Sequence, residues 1–179
     1  HRDLHSFPTR RSSDLIGISV SNIKKGLLNF KGVQRRVNKI FTFNGVDFYD
    51  DYAHHPTEIK FVLEGVNNVY KKYEKVCIFQ PHRISRLKDL RKEFSFAFRD
   101  ADTVVLCPIY TAGEKIKLGF NYLDFAKEII KNSKVKLFLV DDNNQLAKFI
   151  KKSMYGKKIV IGMGAGSISN WMRKLPELM

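Results

Sequence analysis

The chain has 179 residues, 44% of them hydrophobic and 28% charged, with a formal net charge of +14. That is the composition of a folded globular protein, long enough for one full domain and part of another, and no apolar run approaches the roughly 18 residues that cross a membrane. The basic excess is compatible with an anionic partner. However, the lysines stand singly or in pairs (Lys71-Lys72, Lys151-Lys152, Lys157-Lys158), no basic run is interleaved with aromatics in the RNA-binding manner, and the accompanying Ile, Asn and Phe fit an AT-rich gene.

Residues 1–15, His1 to Leu15, show neither helical nor strand periodicity and lack the apolar centre of a secretion signal. Their FPTRRSSDL string resembles a translated sequencing-adapter oligonucleotide, so the segment is expected to be foreign to the protein and disordered. A disordered basic arm is the alternative. Residues 16–39 read as the tail of a preceding domain: helix-like spacing from Ile23 to Phe30, a Lys31-Gly32 break, then Val33-Gln34-Arg35-Arg36-Val37.

Two β-prone runs, Ile40–Phe43 and Val46–Asp51, flank Asn44-Gly45, the strongest short signal for a hairpin because both turn positions need positive φ. Pro56 suits a first helical turn, and apolar spacing predicts a helix over 56–73. Short apolar runs then alternate with helical stretches. The runs are 75–80, 103–109, 136–140 and 158–163; the helices are 85–99, 121–132, 143–154 and 168–175. This pattern predicts an α/β fold, a Rossmann-like mostly parallel sheet with helices on both faces, preceded by an N-terminal β-hairpin. Cys77 and Cys107 fall in apolar runs without a CxxC, as buried free thiols do, and two such cysteines are too few for a zinc site.

In such sheets ligands bind beyond the carboxyl ends of the strands. That rule selects four loops. The first is Asp50-Asp51-Tyr52-Ala53-His54-His55-Pro56-Thr57-Glu58. Its carboxylates suit ribose hydroxyls, its helix start suits an anion, its His and Asp suit a metal, and the same residues also make an ordinary capped turn. The second loop, Gln80-Pro81-His82-Arg83-Ile84-Ser85-Arg86, brings two guanidiniums to a helix start, where they match a carboxylate or phosphate, or stand on a solvated face. In the third, around Tyr110–Glu114, Glu114 is either an ammonium ligand or part of a turn using Gly113. The fourth, Gly162–Ser167, lacks the full GxGxxG pattern and closes the last strand, so its glycines serve a close backbone approach rather than a dinucleotide. The chain contains no G-x-x-x-x-G-K-[ST] phosphate loop and no G-x-S-x-G elbow.

Three strings, Asp50 to Ile59, Phe79-Gln80-Pro81-His82-Arg83-x-Ser85-Arg86 and Gly164-Ala165-Gly166-Ser167-Ile168, together resemble in order and spacing the Mur ligase family, specifically its alanine-adding branch. Gly32-Val33-x-Arg35-Arg36 resembles the end of that family's central ATPase domain. The branch that attaches a ready-made muramyl tripeptide shares the first string but not Phe-Gln-Pro-His-Arg. Thr111 departs from the family's usual Pro.

The resemblance implies that 40–179 is the C-terminal, amino-acid-binding domain of a three-domain cytoplasmic enzyme, with 16–39 a remnant of its central domain. That enzyme would use ATP and Mg²⁺ to join L-alanine to UDP-N-acetylmuramate through an acyl phosphate, in peptidoglycan precursor synthesis. The fragment alone would be inactive. The magnesium ligands and the phosphate-loop lysine would lie upstream, and this chain would hold no metal site and bind neither nucleic acid nor membrane. By position, Arg36 would contact the ATP phosphates during catalysis and Asp51 the ribose hydroxyls. His55 would serve catalysis and the alanine site, with His82, Arg83 and Arg86 bordering that site. A stand-alone nucleotide- or amino-acid-binding module is the reading of another class.

Overall fold

The computed structural model describes residues 17–29, 33–114 and 120–179. The adapter-like string and the Lys31-Gly32 break lie outside the described residues. The chain forms two compact units, His1–Val33 and Gln34–Met179. In the first, helix α1 (Val20–Leu28) starts where the Ser19 hydroxyl accepts from the Asn22 N–H at 3.3 Å.

The second unit is a six-stranded sheet. Strands β1 (Asn38–Phe43) and β2 (Val46–Asp51) form the hairpin, with Asn44 at φ 49° and Gly45 at φ 76° in the turn, as the Asn-Gly pair requires. The remaining strands are β3 (Glu74–Phe79), β4 (Thr103–Leu106), β5 (Lys136–Leu139) and β6 (Lys158–Met163). The order is β1-β2-β6-β3-β4-β5, antiparallel only between β1 and β2.

Side chains of a strand alternate between faces, and here they divide the apolar core in two. Cys77, Phe79, Val104, Leu106, Ile159, Ile161 and Met163 pack under α2 (Pro56–Val69), α3 (Ile84–Asp89), α4 (Arg91–Phe96) and α5 (Tyr122–Ser133). Val46, Phe48, Val76, Ile78, Val105, Cys107 and Val160 pack under α6 (Asn143–Ser153) and α7 (Ile168–Leu178). Both cysteines are free and buried. The helices therefore cover both faces of the mostly parallel sheet.

Three elements differ from the sequence pattern. The helix expected over 56–73 ends at Val69, because Tyr70 leaves the helical region at φ −106° and ψ 46°. The single helix expected over 85–99 is broken at Leu90, where φ −112° and ψ 26° leave the helical region. No breaker residue sits there. At the new start, the Arg91 guanidinium meets Glu128 of α5 through two bonds of 2.9 Å. The run expected to reach Ile109 ends as strand at Leu106, because Pro108 has no N–H for a ladder.

Candidate active site

The carboxyl ends of β2, β6 and β3 lie side by side, so the parallel register alone brings three of the four selected loops together. Beside β2 runs a strap, residues 34–37, in which Arg35 and Val37 adopt left-handed φ of 57° and 49°. Neither residue type favours that region. The strap is held by the end of β2: the Tyr52 N–H donates to the Arg35 carbonyl at 2.9 Å, and the Val37 N–H to Asp51 Oδ2 at 2.8 Å. Arg36 stands between these anchors with an exposed side chain.

Asp51 is 1% exposed. Its Oδ1 accepts from the Ala53 N–H at 2.7 Å, so each oxygen already receives one backbone donor. Burial raises its pKa above the usual carboxylate range, with those N–H groups and the charge of Arg36 opposing. Arg36 also acts on Glu58. There burial is again the largest influence, but the N–H groups of His54 and His55 and the charges of His54 and Arg36 outweigh it and hold the carboxyl below its ordinary value. Arg36, Asp51 and Glu58 thus share one electrostatic neighbourhood.

His55 caps α2. Its Nδ1 accepts from the Thr57 N–H at 3.3 Å while Glu58 accepts from the His55 N–H at 3.2 Å, a reciprocal capping box. The imidazole that faces the neighbouring loop belongs to His54, whose ring centroid lies 5.7 Å from that of His82. His82 stacks on Tyr110 at 5.4 Å, and its buried Nδ1 has no hydrogen-bond partner. Burial, then the charges of His54, Arg86 and Arg83, depress its pKa. Arg83 sits at φ 71° and ψ 131°, sparsely populated for any side chain, fixed by its N–H donating to the Tyr110 carbonyl at 2.9 Å. Arg86 turns back towards the His82 carbonyl at 3.5 Å. Glu114 caps Ser85, accepting from its N–H at 3.0 Å and its hydroxyl at 2.6 Å, which lowers the Glu114 pKa.

The glycine loop closes this arrangement. Gln80 is buried and its Oε1 accepts from the Ile168 N–H at 2.9 Å, capping α7. A Cβ on Gly164 would lie 2.8 Å from the Gln80 carbonyl, and one on Gly166 would lie 2.5 Å from the Tyr110 ring. The loop can approach only because these residues lack side chains.

The structure therefore brings Arg36 and Asp51 together on one side and His82, Arg83 and Arg86 on the other, joined by the His54–His82 contact. His55 is at the junction with one ring nitrogen engaged. Sequence reading placed His54, Tyr110 and Gln80 in the selected loops but gave none of them a site role of its own. Gln80 had a visible signal, a lone amide ending an apolar strand. Among the described residues, no three His, Cys, Asp or Glu side chains cluster as a metal site, and no helix is long and apolar enough to cross a membrane. A groove of about 680 Å³ lined by Glu74, Arg99, Asp102 and Lys136 lies at the opposite, amino end of the strands.

The family model described as "Mur ligase, glutamate ligase domain" matches residues 35–166. A UDP-N-acetylmuramate–L-alanine ligase of Pelagibacter ubique is 71% identical over 164 residues, covering 92% of this chain and 35% of that protein. The same ligase of Bartonella bacilliformis is 38% identical, covering 90% of this chain and 34% of that protein. The chain thus spans about a third of the length of the curated relatives it matches. Among solved structures, the UDP-N-acetylmuramate–alanine ligase of Thermotoga maritima superposes with a TM-score of 0.69 at 27% identity, covering 93% of this chain and 35% of that one. A murein peptide ligase of Psychrobacter arcticus, at 20% identity, shares the fold with a TM-score of 0.70, covering 94% of this chain and 34% of that one.

Proposed function

The chain belongs to the Mur ligase family, and from that membership we propose that it is the C-terminal domain of an ATP-dependent ligase joining L-alanine to UDP-N-acetylmuramate in peptidoglycan precursor synthesis. On this reading 40–179 is the amino-acid-binding domain of a longer cytoplasmic enzyme and 16–39 the end of its central ATPase domain, so this fragment alone is inactive. The observation that carries the reading is the junction of two loops at the carboxyl edge, one bearing Arg36 and Asp51, the other His82, Arg83 and Arg86, closed by the 5.7 Å His54–His82 contact.

The sugar's carboxylate takes the γ-phosphoryl group of ATP, the alanine amine attacks the acyl phosphate, and phosphate leaves. Arg36, exposed and held between two anchored residues, faces the phosphates as their charge develops. By the resemblance Asp51 is assigned to the ribose hydroxyls; buried at the end of β2, it also holds the strap through the Val37 N–H at 2.8 Å. The Arg83 and Arg86 guanidiniums suit the alanine carboxylate, and the depressed pKa of His82 keeps a neutral ring beside the ammonium that must lose its proton. His55 borders the same place through its free ring edge. The Mg²⁺ that accompanies ATP finds no clustered ligands among the described residues; its ligands are assigned to the upstream domain, as is the phosphate loop.

A second reading is attachment of a preformed tripeptide, the reaction of the branch that shares the Asp50–Ile59 string; a murein peptide ligase has the same fold. Both are tested on the intact enzyme by supplying UDP-N-acetylmuramate and ATP with either L-alanine or the tripeptide L-alanyl-γ-D-glutamyl-meso-diaminopimelate. The alanine product and alanine-dependent ADP release are expected. Product from the tripeptide alone would replace this reading with the second.

A further inference from the structure

Asp50 is fully buried, and the proposed function gives it no role. Its Oδ2 accepts from the Ser169 hydroxyl at 2.5 Å and lies 3.6 Å from Arg35 Nε and 3.6 Å from an Arg173 guanidinium nitrogen. Its Oδ1 and Arg35 Nε are buried without hydrogen-bond partners. Such a charge is retained at a desolvation cost, and an apolar residue would fill the place more cheaply, so its partners indicate its use. Arg35 is 24% exposed, donates to the Gly164 carbonyl at 2.5 Å and lies over the Tyr52 ring at 4.7 Å. One carboxylate therefore ties the strap to β2 and α7, while Arg35 ties the strap to the glycine loop. The strap needs that hold, because left-handed φ at Arg35 and Val37 is costly for side-chain-bearing residues. Without it, the backbone bearing Arg36 would relax.

We propose that Asp50 is a positioning residue: through Arg35 it locks the strained strap and so fixes the direction of Arg36 towards the nucleotide. The inference rests on the assignment of Arg36 to the ATP phosphates. Asp50 touches no substrate, and its effect passes through Arg36 alone.

The test is a double-mutant cycle on the intact ligase, reading KM for ATP and for L-alanine. Asp50→Asn is expected to raise the ATP KM about tenfold with the alanine KM unchanged, as loss of one charge-directed contact does. In an Arg36→Ala background, Asp50→Asn should then leave the ATP KM where it was. A full additional rise in that background, or equal rises for ATP and alanine, would mean that Asp50 only supports folding and would overturn the proposal. An Arg36→Ala enzyme with normal ATP KM would instead overturn the underlying assignment, and the proposal with it. If Asp50→Asn does not yield folded protein, Ser169→Ala removes only the hydroxyl donor to Oδ2 and is read through the same cycle, with the same direction expected and the same outcomes overturning it.

Discussion

A single imidazole shows how environment decides a residue's role. His82 lies between His54, Tyr110 and two guanidiniums with its Nδ1 sealed from solvent. Burial and the neighbouring positive charges hold its pKa below the ordinary 6.5. The unfolded chain therefore takes up this proton first as pH falls. Stability contributed by neutral His82 is complete above 6.5 and is lost as pH drops through 6.5 towards the native value. His82→Gln should flatten the acid limb of the stability–pH curve between about pH 7 and about pH 5 relative to wild type; thermal melts across that range would show it, and parallel limbs would contradict it. From sequence, His82 was visible as a polar residue after a strand, but its partner was not. Two adjacent histidines, His54 and His55, are equivalent as text. Only the turn geometry sends His55 to cap α2 and His54 to face His82.

At the level of elements, the order of strands and helices was legible because short continuous apolar runs, the mark of strands buried on both faces, alternate with stretches of helical spacing from residue 74 onwards. The break at Leu90 was not, since no breaker residue marks it and the pairing of Arg91 beside it with Glu128 spans thirty-seven positions of chain. Nor was the seat of the glycine loop, which depends on side chains arriving from two other loops. That seat makes a sharp prediction. Gly166→Ala puts a Cβ 2.5 Å from the Tyr110 ring and 2.6 Å from Gln80 Oε1, the oxygen that caps α7. Overpacking and the disturbed cap should together cost roughly 2–4 kcal/mol of stability. Denaturant unfolding of the folded domain would measure it, and a cost near zero would mean that the loop has room to shift.

On the scale of the whole molecule, the carboxyl edge divides the work by position. On the proposed function, the strap and the end of β2 are assigned to the nucleotide and the loop after β3 to the amino acid. The sequence pointed to this edge because four unusual loops followed four strand ends, but it could not show that Arg35 and Asp50 stand behind Arg36, for both look like ordinary neighbours of the motif. The separation is the central claim, and the steady-state KM values of Arg83→Ala and Arg36→Ala in the intact ligase test it most directly. Arg83→Ala should raise the alanine KM about tenfold or more, as removal of a carboxylate's charged partner does, and leave the ATP KM unchanged. Arg36→Ala should do the reverse. Equal shifts in both constants for either variant would contradict the division.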